Sequence, residues 1–117
     1  IDALVDAGVL GIEVAFSTPN ACAVVNKLSK KYKKNILLGM GTLTNVDQVS
    51  KAIDNGAEFL VSPMFDEKLT RVFVNSGVLS MVGCFTPSEV FHAHQMGADI
   101  IKVFPRRLAG PKYILKI

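Results

Sequence analysis

The sequence predicts an α/β fold made of repeated β-α units, and three observations carry that prediction. Glycine recurs just before short apolar runs: "DAGVLGIEV" (6–14), "DNGAEFLVS" (54–62), "NSGVLSMVG" (75–83) and "QMGADIIKVF" (95–104). Gly56, Gly77 and Gly97 keep a beat of 21 and then 20 residues, and each closes a stretch with helical periodicity, as a helix-ending glycine with positive φ does. The apolar runs that follow lack polar alternation, which predicts parallel strands covered on both faces.

The elements follow in order. A helix over 2–7 leads to a strand over 9–15, and a helix over 19–33 to a strand over 36–40. Helix 45–55 precedes strand 58–62, helix 66–76 precedes strand 79–83, and helix 87–96 precedes strand 99–104, with a last helix starting near 111. Helix starts are marked by Thr18-Pro19, Thr44-Asn45-Val46-Asp47 and Thr86-Pro87-Ser88-Glu89, which put a hydroxyl at the N-cap; proline follows it in two cases, and an acid comes three residues on in two. Asp66 caps the fourth of these helices.

Units of about 20 to 25 residues favour a (β/α)8 barrel over a doubly wound open sheet. A compact flavodoxin-like sheet of five strands is the competing arrangement. A complete barrel needs roughly 200 residues or more, and five strands alone leave two parallel edges unpaired. The 117 residues are therefore expected to be one partial barrel of about five central β-α units, without the first strand and the last two.

Composition narrows the function. Half of the residues are hydrophobic and the net charge is only +3. Much of that excess sits in "KLSKKYKK" (27–34), read as the solvated end of a helix whose lysines complement its dipole. Without aromatic interleaving or a second basic patch, no nucleic-acid partner is expected. No apolar run is long enough to span a membrane. Cys22 and Cys84 lie far apart and in no C-x-x-C, which fits reduced thiols in a cytoplasmic protein, or in an organelle such as a plastid if a targeting segment has been removed. His92 and His94, two apart on one helix, match no metal pattern. "GMGTLT" (39–44) lacks the third glycine of a dinucleotide loop and reads as a tight strand end that gives a ligand anion access to the backbone. Cys84 reads as a small packing residue.

The stretch "DIIKVFP" (99–105) poses a chemical question, because it carries Lys102 in the middle of an apolar strand. If Ile101 and Val103 face the helices, Ile100, Lys102 and Phe104 point into the barrel. By the same alternation, Ile12 and Val14 face the helices while Gly11, Glu13 and Ala15 point inward. Lysine and glutamate thus share one space. A buried ion pair is one explanation, although such pairs stabilise little relative to an apolar core. The other is an amine nucleophile, favoured in its neutral form by low dielectric surroundings, with a carboxyl to shuttle protons.

"GIEV" (11–14), "GMGT" (39–42), "VSP" (61–63), "TPSE" (86–89) and "IKVFP" (101–105) fall in an order and spacing that resemble the 2-keto-3-deoxy-6-phosphogluconate (KDPG) aldolase family, which includes 4-hydroxy-2-oxoglutarate aldolase activity. The resemblance implies a class I, Schiff-base aldolase on a (β/α)8 barrel. It would act on a small 2-keto acid, release pyruvate and an aldehyde, need no metal or other cofactor, and usually form a homotrimer. It implies Lys102 as the imine-forming lysine and Glu13 as general acid/base. Gly41 and Thr42 match the segment that contacts the substrate carboxylate, Pro63 and Phe104 match the pocket wall, and Thr86 lies at another strand end facing the same mouth. The chain departs from the family's pattern at several positions. Ser17 stands where an arginine is common, Ala15 replaces threonine, Met64 and Pro111 replace glycine, and Val82 replaces proline. Arg106-Arg107, also unusual, reads as surface. These departures motivate an alternative, a catalytically altered or inactive barrel that serves as a subunit or interaction module in a larger assembly.

Overall fold

A computed structural model describes residues 1–108 and 110–117. Helix α1 (Asp2–Asp6) leads into β1 (Gly11–Ala15), α2 (Ala21–Tyr32), β2 (Leu37–Gly41) and α3 (Val46–Asp54). Next come β3 (Phe59–Val61), α4 (Glu67–Asn75), β4 (Leu79–Cys84), α5 (Pro87–Gln95), β5 (Ile100–Val103) and α6 (Pro111–Ile114). Short 3-10 turns over Lys33–Asn35 and Arg106–Leu108 complete the path.

All five strands are parallel and pair in sequence order, β1-β2-β3-β4-β5. That order excludes the flavodoxin-like alternative, whose strands would run 2-1-3-4-5. It is the order of a (β/α)8 barrel, of which the chain holds five β-α units. Among the described residues β1 and β5 each pair on one side only, so the sheet has two free edges and its inner face is open.

The core lies between the sheet and the helices. Ile12, Val14, Leu38, Met40, Leu60 and Val82 project from the strands onto Val25, Leu28, Val49, Ala52, Leu69, Phe73 and Ala93 of the helices. Burying each large side chain in that layer contributes roughly 1.5–3 kcal/mol. Gly56, Gly77 and Gly97 end their helices with φ of 98°, 72° and 93°, as their periodic placement predicts.

Two helix starts differ from expectation. Helix α3 is capped by Asn45 and not by Thr44: the Asn45 side chain accepts from Gln48 N at 3.0 Å. Asparagine is at least as good an N-cap as threonine, and Gln48 Oε1 reaches back to accept from Thr44 N at 2.7 Å. Helix α2 starts behind Asn20, which has φ 57° and no side-chain cap. Two successive main-chain turns, with Thr18 N donating to Ala15 O and Ala21 N donating to Thr18 O, leave Thr18 two residues ahead of the cap position. The other two starts are as expected. Asp66 accepts from Leu69 N, and Thr86 and Glu89 form a reciprocal capping box with Pro87 at the first helical position.

Candidate active site

The ladder register places Lys102 and Glu13 on one face of the sheet. Residues directly opposite one another in adjacent strands point the same way. Glu13 faces Gly39, Gly39 faces Phe59, and Phe59 faces Leu79. Met81, two residues beyond Leu79 and so on the same side, faces Ile100, and Gly83 faces Lys102. This is the concave side, turned away from the helices. Gly11, Glu13, Leu37, Phe59, Leu79, Met81 and Ile100 line a groove of about 330 Å³ on it. The inward positions expected for Glu13 and Lys102 are those observed.

The expected enclosure is not. Lys102 is half-buried and Glu13 exposed, because the five strands leave their inner face open. Nor do the two residues form the ion pair that was the structural alternative. Among the described residues the ion pairs are Lys31–Asp2, Lys51–Asp47 and Arg71–Glu67, all at the surface. The Lys102 ammonium instead sits 5.2 Å from the centre of the Phe104 ring, within cation–π range.

The remaining expected site residues gather at the C-terminal ends of the strands, where barrel active sites are built. Gly41 is the last residue of β2, and Thr42 follows it with φ 57°. Positive φ is a strained conformation for a β-branched residue. Pro63 lies two residues beyond β3 and is half-buried. Phe104 follows β5, its N–H donating to Cys84 O at 3.0 Å. Thr86 follows β4, and its hydroxyl is engaged as the N-cap of α5, accepting from Glu89 N at 3.3 Å. Glu89 in turn accepts from Phe85 N and Thr86 N, and those N–H groups hold its carboxyl below the usual carboxylate range. Ser17, Arg106 and Arg107 are exposed.

Two glycines that sequence reasoning passed over shape this face. A Cβ on Gly39 would collide with the Phe59 ring at 2.2 Å, and one on Gly83 would collide with the Pro63 carbonyl carbon at 2.4 Å. The available signal was glycine inside a strand, which marks a close approach. At the opposite end of the sheet, Ser80 and Asp99 tie β4 to β5. Asp99 Oδ2 accepts from Ser80 N and Oγ, both at 2.8 Å, and Asp99 N donates to Ser80 Oγ at 3.0 Å. This clasp fixes the strand register, and with it the side on which Lys102 emerges.

The family model for KDPG and KHG aldolases matches residues 1–117. The chain belongs to the KDPG and KHG aldolase family. Within it, the chain is 31% identical to a probable 2-dehydro-3-deoxy-6-phosphogalactonate aldolase of Rhizobium meliloti, over all of this chain and 55% of the relative. It is 30% identical to the 2-dehydro-3-deoxy-6-phosphogalactonate aldolase of Escherichia coli K12, over 97% of this chain and 56% of the relative. Among solved structures, the KDPG aldolase of Legionella pneumophila, with pyruvate captured as a covalent carbinolamine, superposes with a TM-score of 0.90 at 29% identity, covering 98% of this chain and 55% of that one. The chain thus spans about half the length of these aldolases.

Proposed function

We propose that this chain carries the reacting centre of a class I aldolase that cleaves a 2-keto-3-deoxy sugar acid phosphate or 4-hydroxy-2-oxoglutarate to pyruvate and an aldehyde. One observation carries the reading: the ladder register sets an amine, Lys102, and a carboxyl, Glu13, on one concave face. The covalent pyruvate adduct of the Legionella pneumophila relative supports it. So do the expected wall and carboxylate contacts, Gly41, Thr42, Pro63, Phe104 and Thr86, all at or just past strand ends. The strands that complete the ring, and the homotrimer usual in the family, belong to the whole protein and to the same proposal.

The chemistry follows from the two groups. The lone pair of Lys102 Nζ attacks the C2 carbonyl carbon, and the carbonyl oxygen takes up a proton to give a carbinolamine. Loss of water leaves an iminium, which draws electrons from the adjacent carbon. Glu13 accepts the C4 hydroxyl proton, the C3–C4 bond breaks, and its electron pair flows into the iminium to form an enamine. The aldehyde departs. The enamine is protonated at C3, and water hydrolyses the imine to pyruvate and free Lys102. The iminium is the electron sink, so the scheme uses no metal or other cofactor.

Borohydride reduction of the whole protein in the presence of pyruvate tests this. The expected result is a stable pyruvyl adduct that peptide mapping places on Lys102, and that the Lys102→Ala variant lacks. Absence of any adduct at saturating pyruvate would sink the imine reading and favour the interaction-module alternative.

A further inference from the structure

Glu13 does not stay over its own ladder partner. It stands opposite Gly39, yet its side chain runs toward the C-terminal end of β2. A methyl carbon built on Gly41 would fall 1.7 Å from Glu13 Oε1, 2.4 Å from Cδ and 3.0 Å from Cγ. The space over Gly39 is already filled. Three carbons of the Phe59 ring lie 2.2–2.3 Å from where a Cβ of residue 39 would sit. Two glycines, two residues apart on one strand, thus each carry a neighbour's side chain where their own would be. Ala15, the ladder partner of Gly41, adds no more than a methyl group nearby. Among the described residues no hydrogen bond holds the Glu13 carboxylate, so its seat is set by shape.

We infer that Gly41 is a positioning residue for Glu13: its bare Cα forms the seat that holds the carboxylate toward the mouth of the barrel, while the Phe59 ring over Gly39 closes the lower position. The inference rests on Glu13 being the acid/base. It is separate from a direct contact between Gly41 and the substrate carboxylate, because its effect on proton transfer passes through Glu13. An alanine at 41 would displace the carboxylate without touching the amine.

The test follows exchange of the pyruvate methyl protons for solvent deuterium in the whole protein by NMR, alongside borohydride trapping of pyruvate on Lys102. Exchange needs both imine and base, but no aldehyde. Gly41→Ala and Glu13→Gln should each slow exchange by about 100-fold or more, while trapping on Lys102 persists. The double variant should be no slower than Glu13→Gln alone, within about twofold, since both changes act through one group. Glu13→Asp combined with Gly41→Ala, one methylene shorter, should recover exchange about tenfold over Gly41→Ala, as expected for effects coupled through contact. Unchanged exchange in Gly41→Ala, or losses that multiply in the double variant, would overturn the seat. If Glu13→Gln exchanges at the parent rate, the reading of Glu13 falls first, and this inference with it. Should Gly41→Ala fail to fold, Glu13→Ala/Gly41→Ala is the deciding variant. With the seat emptied it should fold and melt near Glu13→Ala, and a persistent folding defect would overturn the inference.

Discussion

Gly83 stands directly opposite Lys102 in the β4–β5 ladder, and the Ser62–Pro63 backbone crosses over it. A Cβ at residue 83 would fall 2.4 Å from the Pro63 carbonyl carbon and 2.6 Å from the carbonyl oxygens of Ser62 and Pro63. Gly83 N also donates to the buried Ser62 Oγ, which donates to Met64 O, so the β3 end is tied to β4 at this point. The ends of β3 and β4 beside the lysine thus depend on a position with no side chain.

Gly83→Ala is therefore expected to destabilise the protein by roughly 1–3 kcal/mol, because main-chain atoms cannot swing away as a flexible side chain could. Urea unfolding measures the loss. An unchanged midpoint would mean that the β3 end moves freely. Pyruvate trapping on Lys102 should fall in the same variant.

The Ser80–Asp99 clasp makes a pH-dependent prediction. The Ser80 N–H and then the Ser80 hydroxyl hold the Asp99 carboxyl below its ordinary value of 3.8. The unfolded chain takes up this proton at a higher pH than the folded chain does. The stabilisation is thus present above pH 3.8 and lost as pH falls through the lower folded value. Asp99→Asn should be less stable than the parent at neutral pH, with the difference shrinking as the solution is acidified. Unfolding curves at a series of pH values would measure it, and a constant difference at every pH would contradict the prediction.

Cys84 makes the opposite prediction at alkaline pH. It is 1% exposed, and burial, reinforced by the Glu89 charge, pushes its thiol from 9.0 up to about 11. The unfolded chain releases the proton first, so this contribution is complete below pH 9 and lost as pH rises toward about 11. The loss is roughly 2–3 kcal/mol. Cys84→Ala should flatten that alkaline limb relative to the parent in unfolding experiments. Equal limbs in the two proteins would show that the thiol titrates normally when folded.

Much of this architecture is legible in the sequence, for identifiable reasons. The glycine beat depends on local backbone geometry, and Gly56, Gly77 and Gly97 adopt the positive φ their placement demands. The Thr86–Glu89 box is equally local. The shared face of Glu13 and Lys102 follows from strand alternation alone, which is why two residues 89 positions apart could be paired before any contact was known. The seats over Gly39 and Gly41, and the crossing over Gly83, depend on which residues of neighbouring strands stand opposite. That is a property of register, and one strand's periodicity does not contain it. Openness on the concave side escaped for a related reason. Alternation says which way Glu13 points but not what covers it. The start of α3 escaped because Asn45, beside Thr44, is the better cap, and that of α2 because two main-chain turns carry the chain past Thr18 before the helix begins at Asn20.

Pairing in sequence order also bears on how the molecule comes to be. Every strand docks on the one made just before it, so a nascent polypeptide can lay down β1 to β5 as each leaves the ribosome, with no need to wait for a distant partner. Each addition closes only a short loop, at a small entropic cost. In that order Lys102, on the last of these strands, would reach a surface that β1 and β2, with Glu13 and Gly41, had already formed.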